Sequence, residues 1–134
     1  MKISTKGRYA FLIMVYLAKH YTDERYIRLK EISENENISL KYLEKIITNL
    51  NKNNYLLSQR GSEGGYKLSK SPENYNILEL LEKAEGDIKV VSCVGGDFVC
   101  QKSKKCTSFK LWNELNNVIT DYLKSKTLKD FMEE

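Results

Sequence analysis

Residues 29–70 constrain the fold of this chain more than any other segment, because two helical patterns of unequal length follow each other closely there. Leu29 to Asn35 predicts a short helix. Ser39 is a favourable N-cap residue and precedes a longer helical pattern from Leu40 to about Asn53. Apolar residues recur in the longer pattern with helical spacing. They predict a buried stripe formed by Leu40, Leu43, Ile46, Ile47 and Leu50.

A β-hairpin is predicted directly after the longer helix. Residues 55–59 and 66–69 have the composition of two short strands, and they flank a glycine-rich tip at residues 60–65. A short helix, a turn, a longer helix and a hairpin in this order are typical of a winged helix-turn-helix. The expected fold class is therefore mainly α with a small β-hairpin wing.

The outer face of the longer helix carries side chains that can read DNA. It lies opposite the apolar stripe and holds Lys41, Tyr42, Lys45, Thr48, Asn49 and Lys52, with Glu44 at its edge. In a major groove, Lys can donate to guanine, Asn can bond adenine, Tyr or Thr can reach phosphate or a thymine methyl, and Glu can accept from cytosine. The alternative is that this lysine-rich face is only solvated.

The predicted wing supplies a second set of DNA-binding candidates, which are Arg60, Gly61, Ser62 and Gly64. Arg60 can approach phosphate or enter a minor groove, and the glycines let the backbone come close. The charge distribution favours DNA over a solvated face. Residues 39–70 hold six basic and two acidic side chains, whereas residues 71–100 hold two and six. We therefore expect double-stranded DNA as a partner.

Two further helices are predicted on either side of this segment. The apolar run from Tyr9 to Ala18 predicts a buried first helix that Ser4 or Thr5 can cap. Asn76 to Glu85 predicts a fourth helix, which Gly86 ends in a left-handed cap.

The C-terminal pattern from Ser108 to Leu123 predicts a long helix with a broad apolar face. This face is formed by Leu111, Trp112, Leu115, Val118, Ile119 and Tyr122. Such a face at the end of a small domain favours packing against its own copy about a two-fold axis, with packing on the first helix as the alternative. We therefore expect a homodimer.

The length of 134 residues is that of about one domain. Residues 1–75 are assigned to a winged helix-turn-helix DNA-binding domain. Residues 76–134 are assigned to a sensor loop, at about 87–107, and the dimerisation helix region. We expect the two parts to pack as one continuous unit.

All three cysteines fall in the predicted loop, as Cys93, Cys100 and Cys106. Their spacings differ from the Cys-x2-Cys pairs of structural zinc sites. Three thiolates suit a soft metal or an iron–sulfur cluster, and nearby lysines would favour the thiolate form. The alternative is that the cysteines are reactive or incidental surface thiols.

The chain has features that argue against a membrane protein, a secreted protein and an enzyme. The basic residues before Tyr9 resemble the start of a signal peptide, but no small-x-small cleavage site follows the apolar run. The run is also shorter than the roughly 20 residues that span a bilayer. A small cysteine-dependent oxidoreductase is disfavoured because there is no Cys-x-x-Cys pair and only one histidine, His20. We expect a cytoplasmic, non-membrane protein that is not an enzyme.

Three motifs, taken in order, resemble the Rrf2 family of bacterial transcription regulators. They are the opening residues 1–9, the segment Ile38 to Lys45 and the wing Arg60 to Tyr66, and the likeness covers essentially the whole chain. The resemblance implies a homodimeric DNA-binding regulator, expected to be a repressor, whose winged heads are joined by the C-terminal helix. It is closest in pattern to the IscR-like, cluster-binding members, in which three loop cysteines hold a 2Fe–2S or 4Fe–4S cluster.

The resemblance maps these ligands onto Cys93, Cys100 and Cys106, with 2Fe–2S slightly preferred and a cluster that can be absent from the isolated protein. The chain departs from the family patterns at the fourth ligand. Phe109 stands where IscR-like members have histidine, and Arg8 stands where NsrR-like members have an acidic ligand. The remaining candidates are Ser108, Thr107, Asp97 or a group of the partner chain. A thiol redox switch without a metal is the alternative function.

Overall fold

The computed structural model describes residues 2–94 and 105–133. Within them, five α-helices and one two-stranded antiparallel sheet alternate with short 3-10 turns. The helices are α1 (Thr5–Lys19), α2 (Leu29–Glu36), α3 (Leu40–Lys52), α4 (Ile77–Glu85) and α5 (Phe109–Lys124), and the strands are β1 (Leu56–Gln59) and β2 (Gly65–Leu68). The 3-10 turns span Tyr21–Asp23, Pro72–Asn74 and Leu128–Phe131. The predicted fold class, mainly α with a small β-hairpin wing, is confirmed.

Short polar residues fix the start of three helices, because they bond backbone N–H groups that have no partner inside the helix. The Ser4 hydroxyl accepts from the Gly7 N–H at 3.4 Å, and the Ser39 hydroxyl accepts from the Tyr42 N–H at 3.2 Å. Asn76 does the same at α4, where its side-chain oxygen accepts from the Glu79 N–H at 3.2 Å. The predicted caps at Ser4 and Ser39 are therefore present.

The hydrophobic core forms around α1, which packs against both α3 and α4. Ile13 of α1, Leu43 of α3 and Leu80 of α4 are fully buried in one cluster. Burial of these side chains stabilises the fold and fixes the position of α3, since its apolar stripe has to face α1 and α4. The core thus orients the opposite, polar face of α3 outward.

The hairpin is tied to the segment that precedes α2. Leu56 pairs with Leu68 and Gln59 pairs with Gly65 across the two strands. On the other side of β2, the Ile27 N–H donates to the Tyr66 carbonyl at 2.7 Å, and the Tyr66 N–H donates to the Ile27 carbonyl at 2.8 Å. The wing, defined as β1, β2 and the tip between them, therefore has a fixed place beside the start of α2.

Two details of the sequence prediction are wrong. Leu40 was expected in the buried stripe of α3, but its side chain is 43% exposed. It occupies the first helical position, and helical side chains lean toward the N-terminus, so Leu40 extends past the core. Gly86 has a positive φ of 91°, as a terminal glycine permits, but its ψ of −158° is outside the left-handed helical region. It ends α4 without the predicted left-handed cap.

Candidate DNA-binding face and cysteine loop

The outer face of α3 presents most of the predicted DNA-binding side chains to solvent. The exposed members are Lys41, Glu44, Lys45, Thr48 and Lys52. Tyr42 and Asn49 are half-buried along one flank. The face is therefore basic at its centre and is bounded on one side by a flank that packs toward α1.

Tyr42 has a packing role as well as a place on this face. Its ring meets the ring of Tyr9 edge-on, with centroids 5.5 Å apart and planes at 84°. Aromatic pairs in this geometry attract each other through their quadrupoles. Tyr42 therefore links α3 to α1. The helical pattern of the sequence placed Tyr42 on the outer face of α3 and did not predict this contact.

Lys6 joins the candidate face, although sequence analysis did not assign it there. It lines a cavity of about 240 Å³ together with Tyr42, Lys45 and Asn49. Lys6 lies in the first turn of α1, so only the packing of α1 against α3 brings it to this position. The one sequence signal that could have assigned Lys6 to this face was its basic side chain within the opening family motif.

The hydrogen bonds of Thr48 and Asn49 show what each can offer a base or a phosphate. The Thr48 hydroxyl donates to the Glu44 backbone carbonyl at 2.8 Å, which leaves its methyl group for apolar contact. The side-chain amide of Asn49 has no hydrogen-bond partner among the described residues. It can therefore form the paired bonds by which asparagine recognises adenine.

The wing tip owes its shape to its glycines. The Gly64 N–H donates to the Gly61 carbonyl at 3.0 Å and closes a tight turn. A Cβ atom at Gly64 would lie 2.3 Å from the Gln59 carbonyl oxygen, so no larger residue fits there. Gly61 has a φ of 103° with open space around it. Arg60 and Ser62 are exposed beside this turn.

Arg28 reaches the wing tip and was also missed by sequence analysis. Its guanidinium Nη2 donates to the Gly61 carbonyl at 3.4 Å and to the Ser62 carbonyl. Arg28 stands just before α2, so its sequence position gave no sign of contact with a turn more than 30 residues away. The tertiary structure places two arginines, Arg28 and Arg60, at one tip.

Glu85, the last residue of α4, connects the start of the predicted sensor loop with the start of α1. One oxygen of its carboxylate accepts from the Ser4 N–H at 2.9 Å, the Ser4 hydroxyl at 2.5 Å and the Gly7 N–H at 2.8 Å. A negative charge at a helix N-terminus is favourable because it faces the positive end of the helix dipole. The segment leading to the cysteines thus begins directly beside α1.

Two of the three predicted cluster ligands lie within the described residues. Cys93 is half-buried and Cys106 is exposed. The Cys106 sulfur lies 3.4 Å from the Ser108 hydroxyl oxygen, just before α5 begins. Cys100 and Asp97 lie outside the described residues. Among the residues that are described, no three histidine, cysteine or acidic side chains form a group that could hold a metal.

The predicted dimerisation helix α5 has an uncovered apolar face. Leu111 is 56% exposed, Val118 is 65% exposed and Tyr122 is 54% exposed. Within α5, the one buried residue is Asn116, whose side-chain oxygen accepts from the Val90 N–H at 3.0 Å. Within the described residues, these three side chains are therefore not buried against α1, which was the alternative.

His20 has partners of its own at the end of α1. Its Nδ1 lies 2.7 Å from an Asp23 carboxylate oxygen, and its ring lies 4.8 Å from that of Tyr16. These contacts hold His20 against Tyr16 and Asp23 at the end of α1. No helix in the described part of the chain is both long enough and apolar enough to cross a membrane.

Known proteins resemble the whole chain. Residues 3–134 match the family model described as "Rrf2: Iron-dependent Transcriptional regulator". The HTH-type transcriptional regulator IscR of Pectobacterium carotovorum is 35% identical over 132 residues, which cover 98% of this chain and 79% of that protein.

Solved structures show the same relationship. CymR, the global cysteine regulator of B. subtilis, matches with a TM-score of 0.83 and 34% identity, covering 98% of this chain and 96% of that one. The oxidized form of Staphylococcus aureus CymR matches with a TM-score of 0.77 and 32% identity, covering 100% and 98%. Family model, sequence relatives and structures agree, and the chain belongs to the Rrf2 family of DNA-binding transcriptional regulators, which are not enzymes.

Proposed function

We propose that this protein is a homodimeric repressor that binds operator DNA through α3 and the wing, and that its three-cysteine loop holds an iron–sulfur cluster that modulates this binding. The observation that carries the proposal is the place of the cysteines. They follow α4, whose last residue bonds the start of α1, and they precede α5, whose apolar face is uncovered. A change in the loop therefore acts between the DNA-binding part and the helix that would pair two copies.

Residues on the outer face of α3 and in the wing are proposed to contact DNA. The α3 contacts are Lys41, Tyr42, Glu44, Lys45, Thr48, Asn49 and Lys52, and the wing contacts are Arg60, Gly61, Ser62 and Gly64. An α-helix with an exposed basic face can enter a major groove, and its lysines gain affinity by displacing condensed counterions. Because DNA is the target, we expect the protein to act in the bacterial cytoplasm.

Pairing through α5 is supported by the three large apolar side chains that stand more than half exposed on it. Exposure of such a surface to water is unfavourable, and the free energy falls when a second copy covers it. We assign residues 1–75 to the DNA-binding domain and residues 76–134 to the sensor and dimerisation region. A two-fold axis through α5 would present two basic heads to one duplex.

The donor set suits an iron–sulfur cluster. Three thiolates match the ligand chemistry of such a group, and Ser108 offers a hydroxyl oxygen beside one of them. Cys93, Cys100 and Cys106 would hold the cluster, and Ser108 is the candidate for the fourth position that the geometry favours. The cluster would supply a group that responds to oxidation, nitric oxide or iron shortage, with 2Fe–2S preferred over 4Fe–4S.

The DNA-binding part is tested by replacing one lysine of α3 and the arginine of the wing. In Lys45→Ala and Arg60→Ala, operator affinity should fall and its salt dependence should flatten, since fewer counterions are released. Lys83→Ala, at an exposed position of α4, is the matched control and should behave like the wild type. Fluorescence anisotropy at several salt concentrations on a selected duplex gives both quantities. An unchanged salt slope in both variants would remove these residues from the interface.

The cofactor is tested by anaerobic reconstitution followed by absorbance spectroscopy and analysis of iron and sulfide. Iron and sulfide should bind in the wild type and be lost when all three cysteines are replaced by serine. Ser108→Ala should retain the thiolate ligands but change the absorbance spectrum or cluster stability. Negligible iron in the wild type, with DNA binding that is identical in the triple variant under all redox conditions, would contradict the proposal.

A thiol redox switch without a metal is the second candidate, favoured by the exposure of Cys106. In this alternative, a cysteine forms a sulfenic acid or a disulfide and thereby alters DNA binding. The relative solved in an oxidized form, the S. aureus CymR, keeps the same overall fold. Mass spectrometry after peroxide treatment of the metal-free protein distinguishes the two candidates, because only the switch predicts a stoichiometric cysteine oxidation that changes DNA affinity.

A further inference from the structure

We infer that Arg28 is a DNA-contacting residue of the wing, which fixes the tip through two backbone carbonyls and binds a DNA phosphate beside Arg60. The inference deepens the proposed function, since it rests on DNA binding through the wing. It concerns a residue that lies outside the hairpin in sequence. Its basis is the position of the Arg28 side chain and its hydrogen bonds to two neutral carbonyls of the wing tip.

The backbone before α2 is held against the wing. The Ile27 and Tyr66 main chains exchange two hydrogen bonds, of 2.7 and 2.8 Å. The approach is so close that a Cβ atom at Gly65 would lie 2.4 Å from the Ile27 carbonyl oxygen. Gly65 therefore permits the contact, and the base of the Arg28 side chain has a fixed distance from the tip.

The guanidinium of Arg28 uses only part of its donor capacity on the protein. Nη2 serves the carbonyls of Gly61 and Ser62, whereas Nη1 and Nε have no partner among the described residues. An arginine side chain offers five N–H donors in a rigid fork, which suits the simultaneous binding of protein carbonyls and a phosphate. The remaining donors stand on an exposed side chain at the tip.

The charge of Arg28 also remains available. Its hydrogen-bond partners within the described part of the chain are neutral carbonyls, and no ion pair ties it to the glutamates Glu24, Glu31 and Glu63, which line the same cavity. Arg25, three residues earlier, differs in this respect because it donates two hydrogen bonds to Glu31, at 2.9 and 3.1 Å, and lies 3.9 Å from Asp23. A phosphate near the wing would therefore be attracted by Arg28 and only weakly by Arg25. The tip also carries the acidic Glu63, which would repel a phosphate. Arg28 would offset this repulsion.

The two arginines provide a matched pair of variants. Arg28→Ala should weaken binding to a duplex that the wild type selects from a random-sequence pool by about tenfold, the scale of a lost charged hydrogen bond. Its salt slope should fall by about 0.9 for each protomer, which is one phosphate contact. Arg28→Lys keeps the charge and should keep the slope, with intermediate affinity because Lys lacks the fork. Arg25→Ala should leave the affinity and the slope close to the wild type.

Fluorescence anisotropy across a salt series measures affinity and slope together, and circular dichroism checks that each variant is folded. If Arg28→Ala matches Arg25→Ala, or loses affinity with an unchanged salt slope, Arg28 makes no phosphate contact and the inference is wrong. If Arg28→Lys shows the same reduced slope as Arg28→Ala, the inference is also wrong. Failure of the wild type to select any duplex would instead contradict the proposed function.

Discussion

Two amphipathic helices of this protein, α3 and α5, have similar sequence patterns and end in different environments. The apolar side chains of α3 at Leu43 and Leu50 are fully buried within their own chain. On α5, Leu111 and Val118 are more than half exposed. A helical apolar stripe therefore predicts that a face will be covered, but it does not say by which chain.

The difference distinguishes a helix whose apolar face is covered by its own chain from a helix whose apolar face is not. The apolar side of helix α3 packs against α1 and α4 in the core, which leaves its basic face exposed. The helix α5 is held by contacts with α4 and by the Asn116 bond to Val90, and its apolar face has no cover within the described residues. Burial of one large aliphatic side chain is worth about 1.5–3 kcal/mol, so α3 has gained a stabilisation that α5 still lacks.

The largest expected effect follows from removing a buried side chain of α3. Leu43→Ala should lower the free energy of unfolding by about 2–5 kcal/mol, because it loses buried apolar surface and leaves a cavity. Urea unfolding followed by circular dichroism measures the change. Leu57→Ala is the matched control, since that leucine is 45% exposed on β1, and its effect should stay within about 0.5 kcal/mol. Equal losses in the two variants would contradict the contrast between buried and exposed positions.

An intermediate effect is expected from placing a charge on the uncovered face of α5. Val118→Asp should raise the dimer dissociation constant by about tenfold or more, since an unpaired carboxylate would be buried between two copies. Sedimentation velocity over a concentration series measures the dissociation constant. The monomer should keep its circular dichroism spectrum, because Val118 is 65% exposed and leaves no gap in the core.

The same substitution at an exposed leucine elsewhere provides the control for α5. Leu57→Asp changes a similarly sized apolar surface on the wing and should leave the dimer intact. Wild-type protein that stays monomeric at every concentration, or a Val118→Asp variant that still dimerises normally, would show that α5 is not the pairing surface.

The smallest effect concerns pH and the ion pairs next to α2. The hydrogen bonds from the Arg25 guanidinium lower the pKa of Glu31, and the Tyr16 hydroxyl, which donates at 2.7 Å, acts in the same direction. A carboxyl whose pKa is lowered on folding stabilises the protein above its unfolded pKa, and this contribution is lost as the pH falls through the folded value.

Arg25→Ala should therefore lower the free energy of unfolding by about 0.5 kcal/mol near pH 7, the usual scale of an exposed ion pair. The difference from the wild type should shrink below the ordinary glutamate pKa of 4.5. Urea unfolding at several pH values checks this, with Lys30→Ala, on the same helix as Glu31, as the control. A difference that stays constant down to low pH would indicate that Arg25 acts through packing instead of through Glu31.

Much of the fold could be predicted because helix starts and faces depend on residues within about four positions. Ser4 and Ser39 cap the helices that their sequence positions indicate, and the glycine-rich tip forms the predicted turn. The exposure of Leu40 was missed because periodicity treats a first-turn position like an interior one. The ψ of Gly86 was missed because composition at a helix end indicates a stop without fixing the following backbone direction.

The candidate site was predictable to the same extent. The outward face of α3 follows from its apolar stripe, whereas Lys6 and Arg28 reach the candidate DNA surface only through packing between distant segments. The positions of the DNA contacts, the cluster and the dimer remain predictions for the experiments above.

The sequence by itself determined the order of the helices, the N-caps at Ser4 and Ser39, the hairpin, the basic face of α3 and the family motifs. These features arise from short-range periodicity and local hydrogen bonding, which neighbouring residues specify. Only the tertiary structure decided that Arg28 meets the wing tip, that Glu85 bonds the start of α1 and that α5 leaves its apolar face uncovered. Each of these depends on how segments tens of residues apart share one core, and that arrangement is set by the packing of the whole chain.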